Sequence, residues 1–420
     1  MTADSPNPTA RPSIAAMTTM FVAVALAMIG NYYVYDSIGP VAELLSRQLG
    51  YSDTQIGILN AVYSLPNIVM VLIGGILVDR YSARVVTLAT AIICFAGAVL
   101  TASGAEFATM VVGRLLFGLG AETMIVAVTV ALAQWFVGRY FALLFALNLT
   151  FARLGSYLAD RSPSFASDLY SQGWQPPLWL AAGFATMAVA GAIVYWLIDR
   201  REAARGTLAI APPGDRFEWR NLLRFRAEYW LIVALCVTFY SVIFPFRSTF
   251  SIKYFQEAHG LTLEAASTLN SHVFLAAMFA TPAFGLLVDR IGRHAPLLTL
   301  GALALPASFA MLAFAGSTSL AAATILIGIA FSLVPAVLWP AVPRYVEASQ
   351  LGTAYGLMTA LQQTGVFLAN IAAGSINDAS GAGAANPAGY DGMLWFFGTI
   401  SMAAFASALL LWMRGRRATA

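Results

Sequence analysis

Charge-free stretches close to the thickness of a bilayer recur along the whole chain. The runs 56–78, 85–102, 178–198, 296–315 and 393–413 contain no Asp, Glu, Lys or Arg. An apolar helix of about 20 residues crosses the hydrocarbon core of a membrane, and repeated runs of that length read as membrane spans. Composition agrees: 59% of the 420 residues are hydrophobic and 10% are charged, against roughly 25% charged in a soluble domain. A water-soluble fold of this size is excluded, because it could not cover its surface with polar groups.

Gaps between the apolar runs place spans near 17–38, 56–78, 85–104, 108–135, 140–161, 177–198, 229–252, 266–288, 295–315, 319–342, 353–375 and 393–413. The long polar interruption is 199–228, which holds Arg200, Arg201, Arg205, Arg216, Arg220, Arg224 and Arg226 and the breaker Pro212-Pro213-Gly214. It divides the chain into a tail 1–16, a six-helix unit 17–198, a linker 199–228, a six-helix unit 229–413 and a tail 414–420. The expected fold is all-α and integral to the membrane. The first segment lacks the basic start and small-residue cleavage site of a secretory signal, so the first span is expected to be retained. Cys94 and Cys236 fall inside spans of different halves, where they read as packing residues.

With the N-terminus in the cytoplasm, the inner loops and tails collect most of the arginines, including Arg80, Arg84, Arg139, Arg290, Arg293, Arg344 and Arg414. The outer loops receive Arg47, Arg161 and Lys253. That asymmetry is the positive-inside pattern, with both termini cytoplasmic. The arginine-rich linker reads as a topogenic signal resting on anionic lipid, in preference to a nucleic-acid site.

The chain also repeats itself. Gly75-Ile-Leu-Val-Asp79-Arg80-Tyr-Ser82-Ala83-Arg84 follows the second span, and Gly285-Leu-Leu-Val-Asp289-Arg290-Ile-Gly292-Arg293 follows the eighth, 210 residues later. Each copy sets a glycine at the helix end for close approach, an aspartate at the membrane face and basic residues in the turn. Two copies at matching places imply duplicated halves related by an axis along the membrane normal.

Ionisable groups inside spans are costly and mark cavities or partners. Glu122 lies sixteen residues before Gly138 and Arg153 fifteen after it, on antiparallel neighbours. At about 1.5 Å rise per residue the two share a depth near the midplane. They could neutralise each other as an ion pair, or they could bind the ammonium and carboxylate of a zwitterion, the arginine by its bidentate fork. Arg114, about 12 Å further outward along the same helix, matches the depth of Asp36; a lock between them is expected to gate or to brace the structure. Arg247 is expected to snorkel to the interface. In the second half Tyr240, Asn270 and Trp339 are candidates to line the cavity, beside the polar His272, Gln362, Gln363 and Asn370. His272 reads as a packing residue before a proton carrier.

Both repeated segments resemble the G-x-x-x-D-R-x-G-R signature of the major facilitator superfamily, the first departing from it at Ser82 and Ala83. Arg114-Leu-Leu-Phe-Gly118-Leu-Gly120 resembles its fourth-span motif, whose glycines allow close packing. A narrower resemblance runs through Tyr63-Ser-Leu-Pro66-Asn67, Gly118-Leu-Gly120-Ala-Glu122, Trp135-Phe136, Ala152-Arg153-Leu-Gly155-Ser156, Phe244-Pro245-Phe246, Asn270-Ser271, Leu338-Trp339-Pro340 and Leu351-Gly352-Thr353-Ala354-Tyr355-Gly356. These stretches are similar to the group of the lysosomal dipeptide uniporter and its bacterial relatives. The resemblance implies a secondary transporter working by alternating access, with dipeptides moved by facilitated diffusion and their termini held by Glu122 and Arg153. It assigns gating to Asp79, Arg80, Arg84, Asp289, Arg290 and Arg293.

No phosphate-binding G-x-x-x-x-G-K-[ST] loop is present, so ATP-driven transport is disfavoured. Neither H-E-x-x-H nor G-x-S-x-G occurs, and an enzyme is not expected. The competing readings are proton-coupled transport of another organic solute and a non-transporting membrane sensor. The expected partners are a small substrate and the bilayer, with no nucleic acid, metal or cofactor. The chain is expected to act as a monomer in a bacterial inner membrane; nothing in the residues reveals a docking surface for an accessory subunit.

Overall fold

The computed structural model describes residues 12–136, 141–208, 225–291, 294–314, 319–347 and 350–417. Among them the chain forms twelve helical rods. The first half comprises α1 (Ile14–Asp36) with α2 (Ile38–Leu49), α3 (Asp53–Tyr81), α4 (Ala83–Ser103), α5 (Phe107–Trp135), α6 (Phe141–Phe165) with the short α7 (Ser167–Ser171), and α8 (Gln175–Ala204). The second comprises α9 (Ala227–Pro245), a π-helical turn Phe246–Phe250 and α10 (Ser251–His259) as one rod, then α11 (Leu263–Ile291), α12 (His294–Phe314), α13 (Leu320–Ala341), α14 (Leu351–Ser380) and α15 (Asp391–Arg417).

The packing repeats with the sequence. In the first half α1 lies against α8 and α6, α4 against α5 and α8, and α3 against α5. In the second, α9 lies against α15 and α14, α12 against α13 and α15, and α11 against α13. Each pair has its counterpart six rods later, giving two pseudo-symmetric bundles. The bundles meet along two seams, α3 against α14 and α6 against α11.

Hydropathy explains which helices serve as seams. Among the described residues eight rods are long and apolar enough to cross a membrane, and α3 makes a ninth when its two bent segments are taken together. The three that fall short are α6, α11 and α14, the helices that carry Arg153 and Asp160, Asn270 and His272, and Gln362, Gln363, Asn370 and Asn377. Arg153, Asp160, Asn270, Gln363 and Asn377 find partners across the seams instead of facing lipid, while Gln362 and Asn370 bond within their own bundle. Large apolar side chains such as Ile76, Val112, Phe279, Leu300 and Trp395 lie exposed on the outside, where hydrocarbon and not water is the solvent. Cys94 and Cys236 are buried free thiols.

The glycines of the fourth-span motif act as expected. A Cβ on Gly118 would collide with the Tyr63 carbonyl oxygen, and one on Gly120 would stand 2.6 Å from that of Thr90. Gly75 and Gly285 do not: a Cβ added at either would meet no neighbour within 4 Å. Their ends of α3 and α11 lie toward the face that carries both termini, where Asp79, Arg80 and Arg290 are also exposed. Among the described residues the ion pairs between the bundles lie on the opposite face.

Between α3 and α4 the departure from the repeat has a structural cost. Ser82 takes φ 73° and ψ 150°, the one positive φ of a residue other than glycine among those described. This is backbone space that glycine occupies freely and a side chain resists. The second copy has Gly292 here, outside the described residues.

Candidate functional site

Glu122 on α5 and Arg153 on α6 are both half-buried, and they do not pair with each other. The ion-pair alternative is therefore not realised. Glu122 Oε1 accepts a 2.8 Å hydrogen bond from the Tyr63 hydroxyl and a 3.5 Å bond from Gln363 Nε2 of the opposite bundle. Arg153 Nη1 donates to the Ala277 carbonyl at 2.9 Å and to Thr281 Oγ1, and its guanidinium lies 5.3 Å from the centre of the Phe331 ring. Both ends of the site are supplied by one bundle and touched by the other.

Aromatic rings connect the two. Tyr63 packs edge-on against Tyr35 at 4.7 Å, Tyr35 against Phe244 at 6.1 Å, and Phe244 against Phe331 at 5.9 Å. The series runs from the partner of the carboxylate to the partner of the guanidinium and crosses between bundles at Tyr35 and Phe244. Tyr240 stacks on Phe244 at 5.5 Å and accepts a 3.2 Å bond from Trp339 Nε1, while Tyr355 donates to the Trp339 carbonyl at 3.0 Å. Tyr240 and Trp339 thus join the aromatic wall.

Asn270 does not. It is buried among the groups that seal the far face, donating to Asp160 Oδ1 and to the Arg247 carbonyl, both at 3.1 Å, and accepting from Ser251 at 2.7 Å. Arg247 also departs from expectation: it is 2% exposed and does not snorkel. It bonds Asp36 Oδ1 with one terminal nitrogen and Asp160 Oδ2 at 2.5 Å with the other, over the face of Phe274. A guanidinium so far from water needs partners for its charge and its donors, and here two carboxylates supply them.

The lock expected between Arg114 and Asp36 is absent, since Asp36 is taken by Arg247. Arg114 instead ties α5 to its neighbours through the carbonyls of Leu59, Val34 and Tyr35 and through Asn60 Oδ1 at 2.7 Å. It braces its own bundle. Asp160 carried no weight in the sequence because it sits at a span end. Its spacing of seven from Arg153 nevertheless puts both on one face of α6.

A second set of bonds closes the same face. Lys253 binds Asp53 and, at 3.5 Å, Glu257; Asn377 donates to Asp53 at 2.7 Å. Asp378 accepts from the Asp53 and Thr54 backbone N–H groups at 2.8 and 2.9 Å, capping α3 from the other bundle. His272 lies at a surface pocket of this face with Glu264 and Thr268, away from Glu122.

On the face of the termini, Arg84 pairs at 3.3 Å with Asp199, which also accepts from Trp135 Nε1 at 2.7 Å. These three belong to one bundle, so among the described residues Arg84 makes no bridge between halves. Arg293 lies outside the described residues, and of Asp289 the helical backbone alone is described.

Two duplicated bundles thus meet through ion pairs at the far face and hold polar and aromatic groups between them. The sequence profile of the Major Facilitator Superfamily matches residues 20–369 and 246–420. The chain belongs to that superfamily. Within it, the chain is 32% identical over 364 residues to the lysosomal dipeptide transporter MFSD1 of Danio rerio, covering 84% of this chain and 78% of that one. It is 32% identical over 371 residues to its counterpart in Homo sapiens, with the same coverage. Among solved structures, a bacterial homologue of the human lysosomal transporter Spinster, in an inward-facing and unoccupied conformation, aligns with TM-score 0.73 and 16% identity over 96% of this chain and 98% of that one. As a major facilitator protein the chain is a multi-pass membrane transporter and not an enzyme.

Proposed function

We propose that this transporter is a uniporter of dipeptides or similarly small zwitterions. The observation that carries the reading is the separate holding of Glu122 and Arg153. Opposite charges at one depth would pair directly if neutralisation were their purpose; here each is fixed by its own neutral partners, with an aromatic wall between. A zwitterion is the ligand that satisfies both, its ammonium at Glu122 and its carboxylate at the arginine fork. The MFSD1 relatives are dipeptide transporters by name, which supports the same class. In this reading the open face is cytoplasmic, in a bacterial inner membrane, and Arg247, Asp36 and Asp160 form the outer gate.

Uptake of labelled dipeptides into proteoliposomes tests it. Dipeptides should compete, free amino acids and sugars should compete poorly, and Glu122→Gln or Arg153→Ala should abolish uptake while the protein remains folded. An imposed pH gradient should leave the rate unchanged. Normal transport by both variants would discard the site, and strict dependence on the gradient would replace uniport with proton coupling.

A further inference from the structure

We infer that the second bundle sets the orientation of Arg153, so that the subsite for a substrate's carboxylate is complete only while the far face is sealed. The inference rests on the zwitterion reading of the cleft and adds Thr281 as a positioning residue.

Arg153 is rooted in α6 of the first bundle, yet its hydrogen bonds go to the second. Both use Nη1, toward Ala277 and Thr281 of α11, and Phe331 of α13 lies under the guanidinium plane. The Nε and Nη2 edge, the fork that a carboxylate engages in two parallel bonds, carries no hydrogen bond among the described residues. The receiving notch is itself braced. The Thr281 hydroxyl is bonded to the Ala277 carbonyl at 2.8 Å and to the Ser332 hydroxyl at 3.0 Å, and Ser332 is bonded to the Gly328 carbonyl at 3.1 Å. A flexible side chain is thereby held with one edge anchored and the other presented, which removes rotamer entropy before the ligand arrives.

Glu122 is held differently. Its short bond comes from Tyr63 of its own bundle, and the second bundle adds only the longer one from Gln363. When α6 parts from α11 at the far face, Arg153 loses its orienting partners and Glu122 keeps Tyr63. The ammonium end is therefore read in both conformations and the carboxylate end mainly in one. Affinity from the face of the termini exceeds affinity from the far face, and the difference depends on the substrate's carboxylate.

Initial rates in vesicles of one orientation test this, with a dipeptide and its C-terminally amidated form supplied from either face. The wild-type KM for the dipeptide should be about tenfold lower at the face of the termini, the worth of one hydrogen bond to a charged group, and the amide should show no such asymmetry. Thr281→Val should raise the lower KM toward the higher, with kcat from that face rising in proportion because a uniporter keeps kcat/KM equal at its two faces, and Thr281→Ser should restore both. Ser332→Ala, which removes only the brace, should move KM in the same direction by less. Equal KM values for Thr281→Val and wild type, or equal behaviour of the Val and Ser variants, would overturn the inference and leave the zwitterion reading standing. Failure of the wild type to carry dipeptides would overturn both.

Discussion

Asp36 and Arg247 bond each other across the sealed face from matching interruptions in the first and seventh rods. They are 211 residues apart, one residue from the 210-residue offset of the repeat. Asp36 closes α1 just before Ser37 separates it from α2, and Arg247 is the second residue of the π-helical turn after Pro245. Duplication has thus supplied two equivalent breaks, and divergence has given them opposite charge. The contact joins symmetry counterparts and is reinforced by Asp160 of α6.

Replacing Arg247 by Ala leaves two buried carboxylates without their shared cation. Breaking a buried pair in this way costs about 3–5 kcal/mol, and the cost falls on the sealed conformation, because opening hydrates both aspartates. Spin labels at the exposed positions Arg47 and Glu264, on either side of the far face, should report a population shifted to longer distances. An unchanged distance distribution would show that the ion pair does not hold the gate.

The cap that Asp378 places on α3 breaks whenever that face opens. Loss of a helix cap costs about 1 kcal/mol, so Asp378→Ala should raise the ratio of open to sealed protein about fivefold. The same label pair measures it, and the effect should be smaller than that of Arg247→Ala. Ser52 and Gln55, which cap α3 from within the same bundle, serve as controls: their substitution should destabilise both conformations alike.

Ser82→Gly removes a side chain from backbone space that disfavours it. Relief of such strain is worth about 1–3 kcal/mol, partly offset by the greater freedom of glycine in the unfolded chain. Thermal unfolding in detergent should move upward with KM unchanged. A lower unfolding temperature would mean that Ser82 is not strained.

Tyr63→Phe keeps the ring against Tyr35 and Phe117 and deletes the hydroxyl that fixes Glu122. A hydrogen bond to a charged group contributes about 1.5–3 kcal/mol, so dipeptide KM should rise at least tenfold. An analogue lacking the ammonium should be indifferent to the change, and equal losses for both would assign Tyr63 to packing alone.

Sequence by itself determined the membrane class, the twelve rods and the duplicated architecture, because lipid forces every span into an apolar helix whose length and repeat can be read along one dimension. It also singled out Glu122 and Arg153, since depth along a helix follows from counting residues, and named Tyr240 and Trp339 as polar groups within spans. It could not decide partners between helices. Arg114 and Asp36 share a depth, yet Arg114 braces backbone carbonyls within its bundle while Asp36 reaches Arg247 in the other. Asn270 bonds Asp160 and the Arg247 carbonyl at the far face instead of lining the cleft, and Asp160, Thr281 and Phe331 matter only through contacts across the seams. Depth fixes one coordinate of a side chain. The azimuth of each helix, and the gap between bundles in a given conformation, are set by packing among all twelve rods, and those decide which groups of equal depth meet.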